Sequence, residues 1–357
     1  MADTQVKPRL RRPFSFKLFL MRFRTIIALL VIIVIFAALS RHFFTIENIL
    51  IMTRHVAVNA FMAIGMTFVI VSGGIDLSVG SILGLTGMVI GALIDVGIPL
   101  KIFGIVIYLH TWFILVIALV AGGLIGAVNG FIITRLKVAP FIATLGMLYV
   151  ARGFALLSNN GSTFPFLNGQ PGLGNTGFPF IGEGNILAVP VPIWMLLVVA
   201  LLATFVANRT PFGRHVYAVG GNERAAALSG VRVSSVRYRV YVISGVLAAV
   251  SGIVVTSQLV AAHPASGESY ELNAIAAAVL GGTSLMGGRG TIGGTIIGAF
   301  VIGILADGLI MVGVSDFWQM VIKGLVIIVA VAIDQLQASI SQVAAIQEER
   351  KGVMESR

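Results

Sequence analysis

The fold of this chain is decided by the stretch VAVNAFMAIGMTFVIVSGGIDLSVGSILGLTGMVIGALID, residues 56–95. It contains two strongly apolar runs, 56–72 and 79–95, with almost no polar loop between them. A helix needs about 20 predominantly apolar residues to cross a bilayer, within a range of roughly 17 to 25. The stretch therefore predicts two membrane-spanning helices separated by a short break.

The same signal recurs along the 357 residues, of which 57% are hydrophobic and only 11% charged. Soluble domains are about half apolar and about a quarter charged, so this composition excludes a soluble multidomain enzyme. The sequence predicts an all-α integral membrane protein of about ten spans, some of them short or broken. The predicted spans centre on 25–40, 56–72, 79–95, 113–133, 138–157, 193–207, 239–260, 272–286, 292–312 and 318–335.

The basic residues predict the orientation of these spans, because Lys and Arg are retained on the cytoplasmic side. With the N-terminus inside, 19 of the 24 Lys and Arg residues fall on inner segments, so the net charge of +10 indicates topology rather than nucleic-acid binding. Both termini are then cytoplasmic. The predicted organisation is a basic tail (1–24), one permease domain (25–336) with a periplasmic segment (158–190) and a cytoplasmic loop (208–236), and a cytoplasmic tail (337–357).

Two glycine-rich stretches do not resemble plain spans. In GGIDLSVGS (73–81), Asp76 and Ser78 are residue types that begin helices, and broken helices often hold polar substrates in transporters. The alternative is a tight inner turn in which Asp76 only caps the third span. The second stretch, GGTSLMGGRGTIGG (281–294), predicts a short helix, a turn at the inner surface and a new span from Ile292.

Charged residues inside a membrane are costly and usually paired. Asp307 and Lys323 lie at similar depths, each about 5 residues or roughly 8 Å from the outer ends of the ninth and tenth predicted spans. The sequence therefore predicts that these two residues pair across the hairpin, as a structural contact or as part of a proton relay.

Enzyme signatures are missing from the sequence. The chain has no Cys, no G-x-x-x-x-G-K-[ST] phosphate loop and no G-x-S-x-G elbow, and its five His residues are scattered. Two G-x-G-x-x-G matches, at 172–177 and 288–293, lack the strand–helix context that a dinucleotide site requires. We expect no catalytic residue, no metal site and no cofactor bound by this chain.

The cytoplasmic loop contains a predicted short helix at 223–229. Asn222 is a good N-cap, Glu223 suits the first turn, and Gly230 fits the position just after the helix. A short helix outside the bilayer can dock a separate protein and transmit its movement to the spans. The alternative is a surface connector without a partner.

At these motifs the chain resembles the permease subunits of ribose-type monosaccharide importers of the ATP-binding-cassette (ABC) class. The resemblance covers 45–335 and lies outside both tails. It is carried by four ordered stretches: VSGGIDLSVGSILGLTGM (71–88), VAPFIATLGMLYVARG (138–153), GRHVYAVGGNERAAALSGV (213–231) and LNAIAAAVLGGTSLMGGRGTIGGTIIGA (272–299).

The resemblance implies one subunit of a homo- or heterodimer in the bacterial inner membrane, without ATPase activity of its own. A cytoplasmic ATPase that uses ATP and Mg would drive alternating access, and a periplasmic protein would deliver the sugar. The segment matching the family's ATPase-coupling loop contains the candidates Gly213, Gly220, Asn222, Glu223, Arg224, Ala225 and Gly230.

A sugar path also needs hydrogen-bonding side chains within the spans. The candidates are Asn59, Asp76, Ser78, Thr144 and Asn273, with Phe141 as a stacking or gating surface. Two other readings stay open. One is a stand-alone secondary transporter or channel for a small polar solute, in which Asp76 or Asp307 would serve an ion or proton. The other is the same ABC function with a polyol or a sugar-like signal as cargo.

Overall fold

The computed structural model of the chain describes residues 16–329 and 331–332, mostly as α-helix. The predicted tails 1–24 and 337–357 lie largely or wholly outside the described residues. The helices are α1 (Phe16–Leu39), α2 (Ile46–Val71), α3 (Val79–Asp95), α4 (Thr111–Arg135), α5 (Pro140–Leu157), α6 (Phe180–Glu183), α7 (Val191–Arg209), α8 (Pro211–Gly221), α9 (Glu223–Leu228), α10 (Val233–Leu259), α11 (Tyr270–Leu280), α12 (Ile292–Met311) and α13 (316–329).

Among the described residues, six helices are long and apolar enough to cross a membrane: α2, α4, α5, α7, α10 and α12. The apolar part of α1, together with α3 and α11, forms shorter apolar helices. Each predicted span corresponds to one helix, and α3 and α12 begin at the predicted residues. The fold is therefore that of an all-α multi-pass membrane protein.

One end of the bundle, which we call the hairpin end, contains four short strands. The strands β1 (Ile98–Leu100) and β2 (Ile105–Ile107) form an antiparallel hairpin between α3 and α4, and β3 (Asn185–Ile186) pairs with β4 (Val189–Pro190) before α7. The segment 158–190 also packs at this end. The opposite end contains α8 and α9, and we call it the α9 end.

The centre of the bundle is α2. From Val56 to Val71 every residue of this helix except Asn59 is buried, and α2 packs against α7, α10, α11 and α12. Because a membrane helix is normally in contact with lipid on one face, this degree of burial makes α2 the helix around which the others are arranged. The single partly exposed polar position, Asn59, consequently marks a cavity.

Small residues permit the closest helix contacts, as their i, i+4 spacing predicts. On α4, a Cβ at Gly126 would overlap the carbonyl oxygen of Tyr241 on α10, and a Cβ at Gly122 would lie 2.6 Å from the Cβ of Ala249. A Cβ at Gly298 of α12 would overlap the carbonyl oxygen of Ala277. These glycines are therefore positions where helix backbones pack closely.

Three predicted details need correction. The first helix begins at Phe16, before the predicted start at 25, and the eighth span ends at Leu280 rather than 286. The loop 208–236 is largely helical, because α8 and α9 lie within it and α10 already begins at Val233. The sequence predicted too little helix in this region, because Pro211 and the paired glycines at 220–221 are typical of loops.

Candidate functional site

The first break, residues 72–78, lies inside the bundle. Gly73 has φ of +84°, a conformation that glycine adopts without strain, and it ends the continuation of α2. The break contacts Ser244, which lies 11 residues into α10 and therefore about 17 Å from that end of the helix. Asp76 and Ser78 of the break are therefore buried in the bundle, whereas Gly73 near its start is exposed.

A buried carboxylate fixes this break. Asp76 is fully buried and accepts hydrogen bonds from the backbone N–H of Ser78 (3.0 Å), the hydroxyl of Ser78 (2.6 Å) and the hydroxyl of Ser244 (2.8 Å). Asn129 of α4 donates to the Ser78 hydroxyl at 2.9 Å. Because burial of an unpaired carboxylate is costly, these donors make the carboxylate a fixed link between the break, α4 and α10.

This arrangement settles how Asp76 contacts its neighbours. Ser78, not Asp76, is the N-cap residue of α3, and its side chain makes no capping hydrogen bond. Thr144 is also buried and donates to the carbonyl oxygens of Ile75 (3.3 Å) and Pro140 (2.9 Å). Asp76, Ser78 and Thr144 are fully buried in this conformation, so a solute cannot reach them. Their hydrogen bonds hold the break in place.

The second break, residues 281–291, contacts both the first break and α8. The backbone N–H of Gly288 donates to the carbonyl oxygen of Val71, the last residue of α2, at 2.9 Å. The hydroxyl of Tyr217 on α8 donates to the carbonyl oxygen of Gly290 at 2.8 Å. A Cβ at Gly220 would overlap the Val71 carbonyl oxygen and lie 2.6 Å from the Gly288 nitrogen. The end of α8 therefore touches the second break and Val71, the residue directly before the first break, at the same time.

The α9 helix directly follows this contact. The side chain of Asn222 accepts from the backbone N–H of Ala225 at 3.0 Å, and Gly230 has φ of +85° just after the helix, so both predicted caps are confirmed. Ala226 is buried, which anchors α9 to the bundle, whereas Leu228 is 90% exposed. An exposed leucine on a helix that projects from the bundle is typical of a docking surface, and sequence reasoning did not select it.

The remaining predicted coupling residues have separate structural functions. Gly213 lies where α8 packs closely on the end of α7, because a Cβ there would overlap the carbonyl oxygens of Val206 and Ala207. Glu223 forms a two-pronged ion pair with Arg237 of α10, at 3.2 and 2.8 Å. Arg224 and Ala225 are exposed beside Leu228.

A second polar region lies in the hairpin-end half of the bundle. A cavity of about 300 Å³ there is lined by side chains of α2, α10, α11, α12 and α13. It brings together four residues that the sequence analysis selected separately, namely Asn59, Asn273, Asp307 and Lys323. It also contains three polar residues that were not selected: His55, Gln258 and Tyr270.

The prediction that Asp307 pairs with Lys323 is wrong, because Asp307 has a different partner. Asp307 is paired with His55, whose Nδ1 lies 3.0 Å from Oδ1, and among the described residues no ion pair within 4.0 Å joins the carboxylate to Lys323. The physical reason is the close approach of α12 to α2, where a Cβ at Gly303 would overlap Val56. Depth places the two residues at a similar level, but it contains no information on which face of each helix meets the other.

The gating candidate Phe141 lies near the start of α5 and is 53% exposed. Along the same helix Ile142, Tyr149 and Phe154 are also more than half exposed, and few residues of α5 are buried in the bundle. The structure therefore separates the path candidates into three places: the first break, the hairpin-end cavity and the exposed face of α5.

Comparison with known proteins agrees with this arrangement. Residues 45–331 match the family described as "Branched-chain amino acid transport system / permease component". The chain is 42% identical to the ribose import permease protein of Haemophilus influenzae over 321 residues, which cover 90% of this chain and 95% of the relative. It is 43% identical to the ribose import permease protein of Escherichia coli strain K12 over 331 residues, covering 91% and 96%.

A third relative is named for a different sugar. The D-allose transport system permease protein of E. coli strain K12 is 36% identical over 330 residues, covering 91% of this chain and 95% of the relative. No solved structure matches the chain. Because the family match covers most of the chain and these relatives align over nine-tenths of it, the chain belongs to the family of permease components of ABC importers and is a multi-pass membrane transport subunit rather than an enzyme.

Proposed function

We propose that this chain is the permease subunit of a monosaccharide importer, with ribose or a related pentose or hexose as cargo. Two copies, or one copy and a related subunit, form the path in a bacterial inner membrane. A separate cytoplasmic ATPase consumes ATP with Mg, and a periplasmic binding protein delivers the sugar. The chain itself binds no cofactor. The named sugars of its relatives, ribose and D-allose, support a sugar rather than a branched-chain amino acid.

The contact between α8 and the two breaks is the observation that carries this proposal. An ATPase docked on α9 would move α8 with it, since only Asn222 separates the two helices. The backbone of Gly220 lies directly against the backbone of Val71 and of Gly288. A movement of α8 would therefore displace both residues without an intervening side chain. Both breaks would then shift together, as expected of a transporter that closes first one end of its path and then the other.

The orientation follows from charge. The α9 end contains Arg209, Arg214, Arg224, Arg232, Arg237 and Arg239, while the hairpin-end segment 158–190 contains neither Lys nor Arg. The positive-inside rule therefore supports a cytoplasmic α9 end and a periplasmic hairpin end. In this orientation α9 faces the ATPase, and segments 158–190 and 261–271 face the binding protein.

The two copies are proposed to meet along α5. Few residues of α5 are buried within the chain, so its exposed apolar face is free to contact a second copy. Phe141 lies on that face near the α9 end, where a ring can close a narrow path. The Asp76 cluster has a supporting function in this proposal, since it holds the break that the path must pass.

The experiment that tests the cargo is an uptake panel. Proteoliposomes containing the permease, its ATPase and ATP would be supplied with the binding protein and with labelled ribose, D-allose, D-xylose or leucine. We expect at least one of the sugars to accumulate and leucine to remain at background. Accumulation of leucine alone would overturn the proposed cargo class.

A further inference from the structure

We propose that each copy of the chain contains an internal binding site for one neutral monosaccharide, in the hairpin-end cavity between α2, α10, α11, α12 and α13. This inference rests on the proposed function and assigns it a site. The cavity volume of about 300 Å³ is at the lower end of the range for small-molecule sites, roughly 300–1,000 Å³. It suits a single sugar ring better than an oligosaccharide.

Three side chains around the cavity have buried polar atoms without a hydrogen-bond partner among the described residues. These atoms are Oδ1 of Asn59, Nε2 of Gln258 and Oδ2 of Asp307. An unsatisfied buried polar atom is costly, and native proteins contain few of them. Here three occur around one cavity, and they comprise two acceptors and one donor. A sugar hydroxyl both donates and accepts, so a ring with several hydroxyls can pair with these groups once their side chains rotate toward the cavity.

The charges around the cavity favour a neutral ligand. Asp307 is 9% exposed and is held by His55, and Lys323 lines the same space. An anion would be repelled by the carboxylate, and a cation would be repelled by the ammonium group. A neutral polyol instead can donate to the carboxylate and accept from the lysine. The apolar side chains of Val58, Val255 and Leu259 complete the wall and can cover the C–H face of a sugar ring.

The position of the cavity suits a solute arriving from the hairpin end. The side chain of His55 is 53% exposed, so the cavity is not sealed on that side. Asn59 lies 12 residues before Val71 on α2, or about 18 Å along the helix from the contact with α8. A sugar held at Asn59 would therefore lie on the hairpin-end side of both breaks, before the gate that they form.

The test combines binding and transport. Saturation-transfer NMR on the full-length permease in nanodiscs would measure binding of D-ribose, D-allose and D-xylose, with leucine as the non-sugar probe. The cavity variants are Asn59→Leu and Gln258→Met, which keep similar volume but remove the hydrogen-bonding group. The matched control is Asn208→Leu, because Asn208 is exposed at the end of α7, far from the cavity. Monodispersity and melting temperature would show that each variant is folded.

We expect the wild type and Asn208→Leu to bind at least one sugar and not leucine. Each cavity variant should bind that sugar about fivefold more weakly, the effect of one lost hydrogen bond, and should import it more slowly with the complete transporter. Unchanged sugar binding in folded cavity variants, while the wild-type complex still imports sugar, would overturn this site and leave the proposed function standing. If the wild-type complex imports none of the three sugars, the proposed function itself fails.

Discussion

The contact between α8 and the two breaks predicts a strong effect of the substitution Gly220→Ala. The added Cβ would overlap the carbonyl oxygen of Val71 and lie 2.6 Å from the Gly288 nitrogen, whereas real Cβ atoms essentially never approach within 3.0 Å. All of these neighbours are backbone atoms, so they cannot rotate away. Either α8 or the breaks must move.

The size of the effect can be estimated from two contributions. Overpacking of a tight contact costs about 1–3 kcal/mol, and loss of the hydrogen bond from Gly288 to Val71 costs about 1 kcal/mol more. A bias of about 2–4 kcal/mol changes an equilibrium between two conformations by on the order of a hundredfold. The surface of α9 itself is unchanged by this substitution, so docking of the ATPase should persist.

The neighbouring glycine provides the matched control. A Cβ at Gly221 would meet nothing within 4 Å. In proteoliposomes with the ATPase and binding protein, Gly220→Ala should hydrolyse ATP but import sugar at less than a tenth of the wild-type rate. Gly221→Ala should import normally. If Gly220→Ala imports sugar and melts like the wild type, α8 does not transmit force through this contact.

Three further substitutions test other parts of the account. Leu228→Asp should weaken binding to the ATPase roughly tenfold or more, measured by biolayer interferometry, because it removes an exposed apolar anchor. Leu187→Asp is the control and should leave binding unchanged, because Leu187 is also highly exposed but lies at the hairpin end. Equal binding of both variants would refute docking at α9. Asp76→Asn replaces the charged acceptor of three hydrogen bonds by a neutral amide and puts a donor where one carboxylate oxygen accepted from a serine hydroxyl, so it should destabilise the purified protein by about 1–3 kcal/mol; an unchanged melting temperature would contradict the link to α10. Gly126→Ala should cost about 1–3 kcal/mol in the same assay, since its Cβ would overlap the Tyr241 carbonyl oxygen, and a neutral result would show that α4 and α10 can separate freely.

Local signals in the sequence were sufficient for much of the fold. Apolar length predicted ten spans, and each matches a helix, six of which are long and apolar enough to span among the described residues. Residue types with clear local preferences predicted where α9 begins, as Asn222 before Glu223 shows. The eighth span was predicted too long because Leu285 and Met286 were counted with it, although the helix ends at Leu280. Length and hydropathy do not register a turn inside an apolar run.

The sites were less predictable, because they depend on which helix faces meet. Depth placed Asp307 and Lys323 at a similar level, but the partner His55 became visible only once α2 and α12 were seen in contact. Similarly, Gly220 was selected from the resemblance to a family, whereas its contact with Val71 and Gly288 joins three distant parts of the chain. Local periodicity contains no signal for such contacts.

We propose that this chain is a gate moved by a separate ATPase docked on α9. Uphill uptake of labelled sugar into proteoliposomes, with the energy source as the variable, tests this proposal. Permease and binding protein would be reconstituted with or without the ATPase, with internal ATP, and with or without imposed proton and sodium gradients. The account predicts accumulation above the external concentration only when the ATPase and ATP are both present. Accumulation driven by a gradient in vesicles that lack the ATPase would contradict it.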